Sequence, residues 1–199
     1  MVPVKAQRAG KQRLAAALTE DARARLMRAM LRHILGVLRR CPEIAGIAVM
    51  TPEPDSLAHN TLVIGDPGNG VNEALAEALG VLSARGGVTR VAVIAGDLPL
   101  LTAAEVAHFV GAAGPGGIAL APDRSGLGTN AVCLPLPSAF RFHFGPGSLE
   151  RHRAEAVALG ASPAVVALTG FEFDVDEPGD LGALRGRPDY GFLPWPGRD

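Results

Sequence analysis

Three aspartates stand where their neighbours give them chemistry to do. The apolar run Val91-Ala92-Val93-Ile94-Ala95 ends in Gly96-Asp97-Leu98-Pro99. A β-branched run bounded by glycine reads as a strand buried on both faces of a parallel sheet, and such sheets bind ligands beyond the carboxyl ends of their strands. Asp97 is thereby placed at the position of a ligand or a metal ion. The competing reading is a plain turn in which Asp97 helps cap a helix starting near Thr102. Later, Phe171-Glu172-Phe173-Asp174-Val175-Asp176 reads as a strand, on which residues two apart project to one face. Asp174 and Asp176 then repel unless water or a cation lies between them, and hard carboxylate oxygens suit magnesium shared with phosphates. With Asp97 they form a candidate Mg2+ site; a wet strand end ahead of a helix at Pro178 is the alternative.

The cations that could face such a site lie near the start. Lys5, Arg8, Lys11 and Arg13 fall within a stretch that contains no acid, and Lys5 and Lys11 are the only lysines in a chain that otherwise uses arginine. A compact ammonium is a point charge suited to phosphate. A P-loop is excluded, because Gln12 follows Lys11 where Ser or Thr is required. Side-chain charge could hold a triphosphate instead; a solvated loop leading into a helix is the other reading.

Two glycine-rich turns could approach the same ligand. Gly65-Asp66-Pro67-Gly68-Asn69-Gly70 precedes a helix with Asn72 in its first turn, where an amide could meet a base or ribose. Gly145-Pro146-Gly147-Ser148 opens onto another helix, whose free N–H groups form an anion site, with Ser148 as its N-cap. Thr129, after the glycine loop 125–128, offers a hydroxyl and an N–H to an anion. No nucleophile–base pair adjoins His143 or His152, so both read as structural.

These residues are carried by strands that alternate with helices, the pattern of a doubly wound α/β sheet. Strands are expected at the start of the chain, over 44–50, 61–64, 91–95, 118–124, 131–134 and 171–176. Helices are expected over 20–40, 71–85 and 103–112 and after Ser148. With 48% hydrophobic residues, a formal charge of -1 and no internal boundary, the chain reads as one domain over 1–199, closing in a Pro/Gly-rich tail from about 186. So small a charge argues against a nucleic-acid binder. Without 18 consecutive apolar residues or a leader-like start, no membrane segment is expected and a cytoplasmic location is. Cys41 and Cys133 lack metal-ligand spacing and read as buried thiols.

Taken together and in order, these segments resemble the CofC/FbiD family of guanylyltransferases. The matching stretches are Val2-Pro3-Val4-Lys5 with Gly10-Lys11-Gln12-Arg13-Leu14, Gly96-Asp97-Leu98-Pro99, Gly128-Thr129-Asn130-Ala131, Phe144-Gly145-Pro146-Gly147-Ser148 with His152, and Phe173-Asp174-Val175-Asp176-Glu177-Pro178 with Asp180-Leu181. The resemblance implies a Rossmann-like nucleotidyltransferase fold with a mixed, mostly parallel sheet flanked by helices. It implies transfer of GMP from GTP to a three-carbon phospho-acid in coenzyme F-420 biosynthesis. Phosphoenolpyruvate is the favoured acid; 2-phospho-L-lactate and 3-phospho-D-glycerate are the alternatives. Asp97, Asp174 and Asp176 would hold Mg2+, Asp97 and Lys11 would act in catalysis, and Thr129, Gly145 and Ser148 would bind the phospho-acid. Lys5, Lys11 and Arg13 would lie near the GTP phosphates, and the glycine-rich turn read above adds Asn72 as a nucleotide contact. A labile product implies transient contact with a downstream transferase. Rival readings are a nucleotidyltransferase with another acceptor and a non-catalytic GTP-binding protein.

Overall fold

The computed structural model describes residues 1–4, 11–52 and 61–193; Lys5 and Arg8 lie outside the described residues. Among the described residues the strands are β1 (Val2–Pro3), β2 (Ala48–Thr51), β3 (Leu62–Gly65), β4 (Arg90–Ile94), β5 (Ala119–Pro122), β6 (Thr129–Pro135) and β7 (Ala164–Val165). β1, β2 and β3 pair in parallel, and β4, β6, β5 and β7 pair in that order. Met1 joins the two sets. Its N–H donates to Ala92 O at 2.6 Å and its carbonyl accepts from Ile94 N at 3.0 Å, the evenly slanted pattern of a parallel pair. The order across the sheet is therefore β3-β2-β1-β4-β6-β5-β7. β6 is antiparallel to both its neighbours, while β7 again follows β5.

The mixed, mostly parallel sheet is the expected one, with strands shorter than expected at β2 and β5 and longer at β6. Alternate side chains of each strand feed opposite cores, as a period of two requires. Val49, Ile94, Ala121 and Cys133 pack against α1 (Glu20–Arg39) and α3 (Ala103–Ala112). Met50, Val93, Leu120 and Val132 pack on the other face with α2 (Val71–Ala84) and α4 (Ser148–Ala158). Cys41 and Cys133 are both buried free thiols.

Local chemistry sets the helix ends. Thr19 caps α1 by accepting from Ala22 N, with Glu20 and Asp21 in the first turn. Thr102 and Glu105 form a reciprocal capping box on α3. Asp97 is therefore not the cap of that helix. On α4 the cap residue is Gly147 in a left-handed conformation, and Ser148 is already helical, which corrects its expected N-cap role.

The expected strand over 171–176 is also corrected. Thr169–Glu172 forms a short helix, α5, and the chain from Phe173 to Glu177 is irregular. Phe171 is buried against Phe109, with ring centroids 4.8 Å apart, so the apolar residues that suggested a strand serve a helical turn instead. The chain then passes through 3₁₀ segments Pro178–Leu184 and Pro188–Tyr190. Leu184, Tyr190 and Leu193 are buried with Leu26 and Met30 on the outer side of α1.

Candidate active site

Because β6 alone is reversed, its first residues share a sheet edge with the last residues of β1 through β4. A cleft of about 880 Å³ opens along that edge, within the range of small-molecule sites. Pro3, Lys11, Asp97 and Asp176 line its middle, Asp66 and Gly68 the end beyond β3, and Thr129, Gly145 and Ser148 the end at β6. β3 and β6 are four strand spacings apart, roughly 19 Å at about 4.8 Å each. That length accommodates a nucleotide and a small second substrate end to end.

The middle is built around the three aspartates. Asp97 follows β4 at the turn where Gly96 passes under β1; a Cβ on Gly96 would lie 3.2 Å from Pro3 O, tighter than most real contacts. The irregular acid loop is drawn to that turn by several hydrogen bonds. Val175 N donates to Asp97 O at 3.3 Å, Asn130 Nδ2 to Phe171 O at 2.9 Å, and Gly170 N to Glu105 Oε1 at 2.7 Å. Asp180 fixes the loop's far side, its Oδ2 accepting from Asp176 N and Glu177 N at 2.8 Å each while Oδ1 accepts from Arg124 Nη2 at 2.8 Å. Burial opposes charge on Asp180, but these donors together hold its carboxyl below the usual range.

The result is that Asp97, Asp174 and Asp176 each offer an oxygen within 4.8 Å of the others. Three hard, partly buried carboxylate oxygens at that spacing suit a divalent cation of the magnesium class. The electrostatics agree. Burial raises the Asp174 pKa, and the nearby charges of Asp97 and Asp176 raise it further. Such repulsion is relieved when a cation binds.

Lys11 reaches the same point from across the cleft. It sits at φ 55°, in the left-handed region, before the 3₁₀ segment Gln12–Ala16. Its Nζ pairs with Asp97 and, at 2.7 Å, with Asp176 Oδ1, while its side chain is only 10% exposed. Burial lowers its pKa, but the two carboxylates outweigh that and hold it above the usual lysine value. Arg13 is largely exposed, with Nη1 3.9 Å from Glu177 Oε1.

At the β6 end, Thr129 Oγ1 lies 3.2 Å from Ser148 Oγ and 3.0 Å from His152 Nδ1. Gly145 adopts φ 124°, a conformation that side chains rarely take. The helix start is less open than the sequence suggests, for Ser148 N donates to Gly145 O and Leu149 N to Leu127 O, each at 3.1 Å. Asn72 uses both atoms of its amide on one residue: Nδ2 donates to Phe144 O at 3.2 Å and Oδ1 accepts from Phe144 N at 2.7 Å. It thus pins the turn before Gly145 to the start of α2. His152 is structural, as the sequence suggests, and Asp180, singled out only within a matching stretch, proves to be part of the same framework.

Comparison with known proteins decides the family. The family described as "Guanylyl transferase CofC like" matches residues 1–187. The chain belongs to this family. Among curated CofC-like relatives, phosphoenolpyruvate guanylyltransferase of Sphaerobacter thermophilus is 37% identical over 195 residues, covering 96% of this chain and 94% of its own. The protein of the same name from Mycobacterium marinum is 34% identical, with 93% and 86% covered. The fold is found in solved structures at lower identity. A Desulfovibrio desulfuricans protein described as a candidate nucleotide-diphospho-sugar transferase superposes with a TM-score of 0.74 at 16% identity, over 92% of this chain and 84% of its own. A 2-C-methyl-D-erythritol 4-phosphate cytidylyltransferase from Thermus thermophilus gives 0.52 at 19% identity, over 92% and 95%. This CofC-like chain is thus a guanylyltransferase with a nucleotidyltransferase fold. Among the described residues no helix is long and apolar enough to cross a membrane.

Proposed function

We propose that this guanylyltransferase transfers GMP from GTP to phosphoenolpyruvate in the cytoplasm, giving enolpyruvyl-diphospho-guanosine and diphosphate for coenzyme F-420 biosynthesis. The observation that carries the reading is that one cleft is lined both by Asp97 and Asp176, whose carboxylates cluster with that of Asp174, and by Thr129, Gly145 and Ser148. The relatives named phosphoenolpyruvate guanylyltransferase support the choice of acceptor.

In this reading the phospho-acid lies at Thr129, Gly145 and Ser148, and the GTP phosphates face Lys11 and Arg13, which line the same cleft. An acceptor phosphate oxygen attacks the α-phosphorus of GTP in line; a new P–O–P bond forms, and the bond from the α-phosphorus to the β-phosphate oxygen breaks. The acceptor oxygen is already anionic, so no side chain has to remove a proton. The work of the chain is to bring two anions together and to stabilise charge on the departing diphosphate. Lys11 supplies a desolvated positive charge at the junction. Magnesium held by Asp97, Asp174 and Asp176 would supply further neutralisation of the triphosphate. Asn72 acts through the turn it holds, placing Gly145 opposite the triad.

The test is diphosphate release from GTP and magnesium with phosphoenolpyruvate, 2-phospho-L-lactate or 3-phospho-D-glycerate, each with and without the downstream transferase that would draw off a labile product. Release with phosphoenolpyruvate is expected. Release with another of these acids alone reassigns the acceptor, and GTP binding without release with any of them refutes the reaction.

A further inference from the structure

The acceptor end of the cleft rests on a histidine that is itself completely buried. His152 lies on α4 with Phe144 meeting its ring edge-on at 4.9 Å between centroids and Phe140 stacked at 5.7 Å. These contacts fix the plane of the imidazole, and hydrogen bonds fix its protons. Nε2 is 2.9 Å from the backbone nitrogen of His143, and Nδ1 is 3.0 Å from Thr129 Oγ1. A backbone N–H can only donate, so Nε2 is the acceptor and carries no proton. A neutral imidazole has one proton, which is therefore on Nδ1.

That assignment propagates to Thr129. Nδ1–H donates to Thr129 Oγ1, and Ser148 Oγ donates to the same oxygen at 3.2 Å. With its acceptor capacity filled, the hydroxyl of Thr129 has its own proton left to give, and Thr129 lines the cleft. A phosphate or carboxylate oxygen at neutral pH accepts and does not donate. The direction of the chain matches that requirement.

We propose that His152 is a positioning residue for the acceptor site: its Nδ1–H orients Thr129 as an obligatory donor toward the anionic phospho-acid. The proposal rests on the reading above that places the phospho-acid at Thr129.

Two side chains separate the two hydrogen bonds of the ring. Asn places an amide near the position of Nδ1 and can keep the bond to Thr129, whereas Gln places one near Nε2 and can keep the bond to His143. His152→Gln is expected to raise KM for the phospho-acid by about tenfold or more, the effect of one hydrogen bond to a charged ligand, with KM for GTP unchanged. His152→Asn is expected to restore most of that loss. In a Thr129→Val background, His152→Gln should add little, because the bond it removes is already gone. Loss in His152→Asn with retention in His152→Gln, or losses that add fully in the double variant, would overturn the proposal. Long-range 1H–15N spectra of the wild-type protein test it without turnover or mutation. A protonated Nδ1 with bare Nε2 is expected, and the opposite tautomer refutes it. Wild-type protein that turns over none of the phospho-acids refutes the proposed reaction instead, and the ring spectrum still judges His152.

Discussion

Lys11 Nζ lies 2.7 Å from Asp176 Oδ1, a contact between residues 165 positions apart in the chain. The same ammonium pairs with Asp97, so two of the three carboxylates of the triad share one internal cation. A divalent ion bound by the triad has to compete with it.

Lys11→Met removes that competitor together with the charge offered to the triphosphate. Divalent-ion affinity is expected to rise by about tenfold, from one charge at short range in a partly screened site. Turnover should fall by about two orders of magnitude if Lys11 supplies several kcal/mol at the transition state. Calorimetric titration with magnesium and steady-state diphosphate release measure the two quantities. Weaker ion binding in the variant would show that Lys11 does not occupy the ion's place.

Asp97→Asn keeps the size of the side chain and removes its charge. The fold should be retained, judged by an unchanged circular-dichroism spectrum, while turnover drops by roughly two orders of magnitude or more. Chelation of the wild-type enzyme should bring it to a similar level. Near-normal activity in the variant would remove Asp97 from the reaction.

Asp180→Ala leaves all three triad carboxylates in place but releases the backbone N–H groups of Asp176 and Glu177. Supports one step removed from a metal typically matter by about 10–100-fold in affinity or activity. Magnesium dependence should shift to higher concentration by about that factor, with KM for the phospho-acid little changed. An equal rise in both constants would indicate general loosening of the cleft instead.

Stability should depend on His152 at acid pH. Burial is the main force lowering its pKa to about 4, helped by the neighbouring positive charges of His143 and Arg151 and opposed by Glu155. The unfolded chain takes up this proton near pH 6.5, well before the folded one does. The stability gained from a neutral His152 is therefore complete above about 6.5 and is lost as pH falls toward 4. Urea unfolding at about pH 7 and pH 4.5 should show wild type losing about 2 kcal/mol more than His152→Gln. Equal losses would place the ring's pKa near its ordinary value.

What the sequence made legible follows the range of the interactions concerned. Asp97 could be located because a buried strand, a glycine and an acid are adjacent in the chain, and the sheet edge follows from that order. Asp174 and Asp176 were paired correctly for a reason the structure replaces. Phe171, Phe173 and Val175 alternate as in a strand, yet the backbone there bonds to Leu168, Thr169 and Asp97 rather than to a neighbouring strand. The reversal of β6 was not legible, since alternation is the same in either direction. Nor was the part played by His152, whose partner Thr129 is 23 residues away on another element. Asn72 carried the right chemistry for a base, but its amide faces a backbone turn that only the folded chain brings near it.

The reversed β6 gives its first two residues different partners around the cleft. Thr129 joins the cradle with Ser148 and His152, and Asn130, on the other face of the strand, holds the carbonyl of Phe171 ahead of the acid loop. A slip of one residue in β6 would interchange the two faces and dismantle both halves of the cleft together. The start of β6 itself departs from regular pairing: its register with β5 shifts between Ala121 and Pro122, so that Thr129 meets α4 while Ala131 and Cys133 pack with α1 and α3, and the cleft depends on that one irregular step.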